Sequence, residues 1–145
     1  TVKVAYISSA VTASGESEGE LKFYWPSSSK PFQVANTLVT IDKPWFETHD
    51  LNGDGYSDVV FYNSPAGYGG SPSRGADVYL FIPKLGRFVK SKTLSDRGDV
   101  RPSSQRGCSD IEYKSGPTGY TTEKWCFNQS SGRWKLVSSS GGEAE

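Results

Sequence analysis

The sequence predicts an all-β protein of short antiparallel strands and hairpins, arranged as a β-sandwich or a propeller-like fold. Aromatic residues are frequent, with four Trp, eight Tyr and seven Phe, while 16 Gly and eight Pro supply many turns. Runs rich in β-branched and aromatic residues alternate with clusters of Gly, Pro, Ser and Asn, which is typical of strands joined by turns. No segment keeps a 3.6-residue apolar period over three turns, so no large helix is expected.

The strands follow from local patterns along the chain. In residues 1–8, Val2, Val4 and Tyr6 alternate with polar or small neighbours, and a second run at 21–25 is closed by Pro26. Alternation of this kind is the signature of a half-buried strand. Further runs predict strands over 32–41, 59–62, 76–82, 87–90 and 133–137.

Polar and Gly-rich segments predict the connections between these strands. We expect a mobile loop over 9–20, a long Gly/Pro/Ser loop over 63–75, a turn at 83–86 and an irregular segment over 96–107. Residues 1–137 are expected to form one all-β domain, because 145 residues suffice for a single core. Residues 138–145 carry no core residues and are expected to be a disordered polar tail.

Two cysteines flank a turn-forming stretch at 115–119. If this stretch is a five-residue loop, Lys114 pairs with Tyr120, and the same register places Cys108 opposite Cys126. Facing residues in an antiparallel pair have Cα atoms about 4.5–5.5 Å apart, within reach of a disulfide. We therefore expect a disulfide across this hairpin and an oxidising compartment; two buried free thiols are the alternative. The other face of the hairpin, a plausible core face, carries Ile111, Tyr113, Trp125 and Phe127.

The segment from Asp50 to Asp58 has the pattern of a calcium-binding loop. Oxygen-bearing side chains occupy every second position at Asp50, Asn52 and Asp54, the Tyr56 carbonyl follows, and Asp58 completes the set. A glycine, Gly55, stands at the sixth position, where a sharp turn needs its backbone freedom. Calcium prefers about six to eight oxygen ligands, and this loop offers at least five before water.

The loop is not an EF-hand. That motif needs a Glu at its twelfth position, where this chain has Phe61. Residues 59–62 read as a strand, so the pattern predicts a Ca²⁺ loop that feeds a β-strand. The alternative is an acidic turn whose Asp, Asn and Gly serve turn geometry alone.

Composition excludes several classes of protein. Lys plus Arg equals Asp plus Glu at 16 each, and no basic run favours nucleic acid or an anionic membrane. No apolar stretch approaches the ~18 residues that span a bilayer. The chain starts at Thr1 and has no Met, so a processed or trimmed product is expected, with any targeting segment removed.

From about residue 40 to 137, the order of features resembles a known family. Pro44-Trp45-Phe46 precedes the loop Asp50–Asp58, and a glycine-rich segment follows. The strand residues 78–81, the run 83–89, the Thr-Leu-Ser at 93–95 and an aromatic terminal hairpin complete the pattern. This combination resembles the periplasmic immunity proteins that neutralise peptidoglycan-hydrolysing effectors of antibacterial type IV secretion systems. Those proteins are similar in turn to the periplasmic inhibitors of I-type lysozyme.

The resemblance implies inhibition rather than catalysis. It implies an exported, calcium-loaded bacterial protein, periplasmic or secreted, that blocks the active-site cleft of a lysozyme-like peptidoglycan glycosidase with an exposed loop. Lysozyme inhibitors often carry a Ser-Gly-x-x-Tyr loop; this chain has Ser115, Gly116 and Tyr120, with one more residue between Gly and Tyr. An ordinary strand tyrosine beside a turn is the alternative for Tyr120.

A second candidate for the inhibitory loop follows from chemistry. A glycosidase cleft presents two carboxyl groups, one of them protonated, so a plug needs hydroxyl and cationic groups. The loop at 63–75 offers Tyr68 and Arg74 among several glycines, and calcium is expected to anchor its base through the intervening strand. Long loops are often functional, although a flexible surface connection with a stray Tyr is the alternative.

The sequence also bears on two other function classes. An extracellular calcium-binding adhesion or carbohydrate-binding module would stack sugar rings on Trp25, Tyr24 and Trp45. An enzyme is not expected: His49 is the sole histidine, no Gly-x-Ser-x-Gly elbow is present, and both cysteines are committed to the expected disulfide.

Overall fold

The computed structural model describes residues 2–11, 17–41, 44–66 and 74–143. Within these ranges the chain forms eleven β-strands and no helix, which confirms the all-β prediction. In the described part of the chain there is accordingly no helix long and apolar enough to cross a membrane. The strands are β1 Lys3–Val11, β2 Ser17–Tyr24, β3 Gln33–Val39, β4 Trp45–His49, β5 Asp58–Ala66, β6 Arg74–Ile82, β7 Arg87–Lys90, β8 Asp99–Pro102, β9 Cys108–Lys114, β10 Gly119–Asn128 and β11 Arg133–Glu143.

Three antiparallel sheets are each built from strands that are consecutive in the chain. The first sheet has the order β1-β2-β3, the second β4-β5-β6-β7 and the third β8-β9-β10-β11. Every pairing therefore links sequence neighbours through a turn or loop, and no crossover connection is needed.

The second sheet is the middle layer and is buried on both faces. On β5, Val59 and Phe61 face the first sheet while Val60 and Tyr62 face the third. Successive strand residues point to opposite faces, so a strand covered on both sides needs an unbroken apolar run. This explains why residues 59–62 do not alternate with polar ones.

Two hydrophobic cores lie between the three layers. The core between the first and second sheets consists of Leu21, Phe23, Val39, Val59, Phe61, Tyr79, Phe81 and Phe88. The core between the second and third sheets consists of Leu51, Val60, Tyr62, Ala76, Val78, Leu80, Leu94, Val100 and Ile111. The predicted inner face of the cysteine hairpin packs against the second core through Tyr113, Trp125 and Phe127.

The cysteine hairpin has the predicted register. Lys114 lies opposite Tyr120 and Cys108 opposite Cys126. The disulfide between the two cysteines is present, with Cα atoms 4.0 Å apart. The predicted disulfide is thus confirmed.

Two short strands, β4 and β8, were not predicted: β8 falls in the segment expected to be irregular, and no strand was assigned to residues 45–49. Both lie at sheet edges, and four of the five β4 residues are exposed. Polar side chains and proline are common on edge strands, so neither segment shows clear apolar alternation. The strands β1, β2, β5 and β6 also extend into the loops expected at 9–20 and 63–75, where residues 12–16 and 67–73 lie outside the described ranges.

The C-terminal segment corrects another expectation. Instead of belonging to a disordered tail, residues 138–143 continue β11, and Glu143 pairs with Gly119 of β10; the last two residues of the expected tail, 144 and 145, lie outside the described residues. A register shift between Lys124 and Trp125 separates this polar half of the pairing from the aromatic half. Residues 138–141 are exposed at the sheet edge, so they need no apolar face to form a strand.

Candidate functional site

The acidic segment joins β4 to β5 at one end of the middle sheet. His49 pairs with Asp58 across the two strands, and the residues between them form the loop. Gly53 and Gly55 have φ angles of 76° and 88°, in the left-handed region that favours glycine. A Cβ atom on Gly53 would also lie 2.8 Å from the Gly107 backbone, so Gly53 is required for close approach to the third sheet as well.

Side-chain oxygens of the predicted ligands accept hydrogen bonds from the loop backbone. The two carboxylate oxygens of Asp50 accept from the N–H groups of Gly53 and Gly55, both at 2.9 Å. Asn52 Oδ1 accepts from Asp54 N–H at 3.4 Å, and Asp54 Oδ1 accepts from Tyr56 N–H at 3.0 Å. These bonds orient the oxygens along the inside of the turn, and each oxygen keeps a further lone pair for another partner.

Asp58 occupies a different environment from the other acidic residues. Its side chain is completely buried, and its carboxylate oxygens accept from Leu51 N–H and Phe81 N–H, both at 2.9 Å. Burial raises the pKa of Asp58 to about 7; the two N–H bonds lower it, and the charges of Asp54 and Asp50 raise it. Asp58 therefore ties the loop to β6 at the cost of a desolvated carboxyl group.

The donor chemistry suits a hard cation, whereas the carboxylates are not yet gathered around one point. Among the described residues, no group of three or more His, Cys, Asp or Glu side chains is close enough to hold a metal ion. The loop still presents Asp50, Asn52, Asp54 and the Tyr56 carbonyl, the oxygen types that calcium prefers. Calcium held by all predicted ligands, Asp58 included, requires the loop to tighten further.

Three consecutive loop carbonyls are held by the third sheet. Ser109 Oγ donates to the Leu51 carbonyl at 2.8 Å, and Gln129 Nε2 donates to the Asn52 carbonyl at 2.8 Å. Arg106 donates to the Gly53 carbonyl through Nε and Nη2, each at 3.3 Å. Sequence analysis missed these three residues, because each lies more than 50 positions from the carbonyl that it binds and carries no motif.

The predicted inhibitory residues are described in part. Ser115 and Tyr120 lie at the β9–β10 hairpin tip, which a bond from Ser115 N–H to the Gly119 carbonyl closes at 3.0 Å. Ser115 is exposed, Gly116 is half-buried, and Tyr120 is 39 % exposed. Tyr68 lies outside the described residues; Arg74 begins β6, and its side chain is likewise outside them.

The β9–β10 hairpin tip lies at the end of the molecule away from the acidic loop, as do Ala66 and Arg74, the described residues on either side of 67–73. The strand β5 starts at the loop with Asp58 and ends at Ala66, and β9 starts beside the loop at Cys108 and ends at Lys114. At about 3.3 Å per residue, the far end of β5 is roughly 25 Å from the loop. The expectation that calcium anchors the base of the 63–75 loop through this strand stays a prediction, with the whole length of β5 between the acidic loop and Ala66.

The remaining residues singled out from sequence are dispersed. His49 Nε2 lies 3.2 Å from Glu47 Oε1 on the partly exposed edge strand β4. Trp45, on the same strand, stacks on Tyr62 with ring centroids 4.7 Å apart. Trp25 is 41 % exposed and Tyr24 half-buried, at the end of β2 in the first sheet.

Comparison with known proteins gives a likeness in fold. No family model and no curated protein matches the chain. A solved structure described as "Structure of a Xanthomonas Type IV Secretion System related protein" aligns with 97 % of this chain and 88 % of its own, at a TM-score of 0.58 and 14 % sequence identity. At this identity the likeness establishes a shared fold and nothing finer.

Proposed function

We propose that this chain is an exported, calcium-stabilised inhibitor or immunity protein that blocks the active-site cleft of a lysozyme-like peptidoglycan glycosidase. The observation that carries the proposal is the fold shared with a Xanthomonas type IV secretion system related protein over 97 % of this chain. The order of sequence features supports it separately, because that order resembles immunity proteins against effectors of such systems.

Export is supported by the disulfide. Cys108 and Cys126 are bonded, and the described residues hold no free cysteine. Structural disulfides persist in the periplasm and outside the cell, and they are rare in the reducing cytosol. The disulfide therefore supports the proposed location in the periplasm or outside the cell.

Calcium is proposed as a structural ion. Asp50, Asn52, Asp54, the Tyr56 carbonyl and Asp58 would hold it, and its charge would offset the repulsion among the carboxylates. The bonds from Leu51 and Phe81 to Asp58 leave lone pairs on both carboxylate oxygens, so these bonds need not break. Because the third sheet holds the same loop by three carbonyls, binding would strengthen the contact between the middle and third layers.

Inhibition is proposed to occur at the opposite end of the molecule, without catalysis by this chain. A hydroxyl or cationic group on a projecting tip can pair with the two carboxyl groups of a glycosidase cleft. The exposed hairpin tip offers Ser115 and Tyr120, and the 63–75 segment of the sequence offers Tyr68 and Arg74. Arg74 begins β6 at the same end of the fold as the hairpin tip, so an enzyme docked there would meet the hairpin tip and the start of β6.

The test is a titration of this protein into a panel of lysozymes and related muramidases that are hydrolysing bacterial cell walls. We expect loss of activity at one molar equivalent for a panel member, with no hydrolysis by this protein alone. Full activity of every enzyme, including the cognate effector of the source bacterium, contradicts the proposal.

Paired variants locate the contact. Two double variants are compared. The first carries Tyr68→Ala and Arg74→Ala together, and the second carries Ser115→Ala and Tyr120→Ala together. The control is Leu85→Ala, which removes a side chain that is 62 % exposed in the β6–β7 turn, at the acidic-loop end. One double variant should lose inhibition while its melting temperature is unchanged, and the control should inhibit fully. Full inhibition by both double variants excludes these tips as the plug.

A further inference from the structure

Two exposed aromatic rings flank one buried ring at the acidic-loop end of the molecule. Trp25, just after β2, is 41 % exposed, and Tyr56, in the acidic loop, is 48 % exposed. The Trp25 ring meets Phe81 of β6 at 5.9 Å, almost perpendicular, and the Tyr56 ring meets it at 5.4 Å, tilted by 40°. Phe81 itself is only 7 % exposed, so it forms the floor between the two exposed rings.

A third ring and a backbone clamp fix this arrangement. Phe32 stacks on Trp25, with centroids 4.2 Å apart and planes within 15°. The Phe32 N–H donates to the Phe23 carbonyl at 2.9 Å. The neighbouring Gln33 side chain donates to the Phe88 carbonyl at 2.7 Å and accepts from the Phe88 N–H at 2.6 Å. We call Trp25, Phe32 and Tyr56 the aromatic platform; it is built before any ligand arrives, which lowers the ordering cost of binding.

The platform has the composition of a ligand site rather than of scattered surface residues. Single exposed aromatics are normal on protein surfaces, but contiguous ones mark binding sites. Small-molecule sites combine aromatic surfaces with a few polar groups that fix orientation. Here the polar group is the hydroxyl of Ser57, which is exposed and directly follows Tyr56 in the acidic loop.

The geometry points to a carbohydrate: we propose that the aromatic platform binds the pyranose rings of a glycan. One face of a pyranose presents C–H groups, which carry partial positive charge and are attracted to the negative face of an aromatic ring. The hydroxyl groups at the rim of the sugar can form hydrogen bonds with the exposed Ser57 hydroxyl. Because Trp25 and Tyr56 both contact Phe81 from different sides, they can engage successive units of one chain.

Glycan binding at the platform goes beyond the proposed inhibition and is separable from it. The platform surrounds the end of β6 and the acidic loop, whereas Ser115 and Tyr120 lie at the other end of the fold. A sugar bound at the platform therefore leaves the inhibitory end accessible.

The experiment titrates chitotetraose and cellotetraose into the whole chain and follows tryptophan fluorescence and binding heat. Saturable binding of at least one of the two is expected. Trp25→Ala and Tyr56→Ala should each weaken the affinity for the sugar by about tenfold or more, because each removes one aromatic contact and the area that it buries. The matched control is Trp45→Ala, which removes another tryptophan that is 36 % exposed but stacks on Tyr62 at the sheet edge; its affinity should equal that of the unmodified chain.

Circular dichroism checks that each variant folds. If Trp25→Ala does not fold, Tyr56→Ala alone tests the proposal. No binding of either sugar by the unmodified chain overturns the proposal, as does equal weakening by Trp45→Ala and Trp25→Ala. The Trp25→Ala variant should still inhibit any glycosidase that the unmodified chain inhibits. Failure of inhibition with intact sugar binding would contradict the proposed function alone.

Discussion

Removing the disulfide should destabilise the fold by an amount that follows from chain entropy. Replacing Cys108 and Cys126 together by Ala opens a link that spans 18 positions. For a closed loop of this length the chain-entropy model gives about 3 kcal/mol at 25 °C. With roughly 2.1 cal/mol/K of unfolding entropy per residue, 145 residues give about 300 cal/mol/K, so the melting temperature should fall by about 10 °C.

The assay is thermal and urea unfolding of the unmodified chain and the double variant. The matched control is Asp110→Ala with Lys124→Ala, a facing pair on the same two strands that carries no covalent link. Its stability should change by less than about 1 kcal/mol, the upper range for exposed or partly exposed pairs. The reasoning is refuted if the cysteine variant loses no more stability than this control.

Three further predictions concern the middle sheet and the acidic loop. Asp77→Ala removes the buried acceptor for Asn63, so unfolding in urea should show a loss of about 2 kcal/mol, while Asp77→Asn should lose less. Gly53→Ala should lower the melting temperature more than Gly55→Ala: both have positive φ, but only the Gly53 methyl meets backbone at 2.8 Å, and equal losses would contradict this. Calcium at 100 times its Kd should stabilise the chain by about 2.7 kcal/mol. A chelator should remove that gain, and the Asp54→Ala variant should show none; an unchanged melting temperature would mean that the loop is only a turn.

The cysteine hairpin was predictable because its determinants are local. The length of the 115–119 turn sets the register of β9 and β10, and the register sets which residues share the cysteine face. The same locality made the continuous strand at 59–62 recognisable, although the sequence did not disclose that both of its faces are covered.

Features that depend on distant contacts could not be predicted. Ser109 and Gln129 hold the acidic loop from 58 and 77 positions away, and nothing in their own surroundings announces that role. The aromatic platform is likewise assembled only in space: Trp25, just after β2, and Tyr56 in the acidic loop both contact Phe81 of β6. Edge strands escaped prediction for another reason: β4, β8 and the end of β11 carry polar residues because one edge of each is unpaired.

The proposed separation of calcium from inhibition can be tested within one assay. The acidic loop and the hairpin tip lie at opposite ends of the fold, so Asp54→Ala should lower the melting temperature yet inhibit fully at temperatures where it stays folded. If the hairpin tip is the inhibitory contact, Tyr120→Ala should leave the melting temperature unchanged and lose inhibition. Loss of inhibition in a folded Asp54→Ala variant would place the acidic loop in the contact.

The most direct test of the central claim is the stoichiometry of inhibition. Cell-wall hydrolysis by a panel of lysozyme-like glycosidases, including the cognate effector, is measured while this protein is titrated in, with calcium and with chelator. The account predicts that activity of a panel member falls to zero at one equivalent in calcium, and that chelator weakens inhibition only where it unfolds the protein. Undiminished hydrolysis by every enzyme would contradict the account.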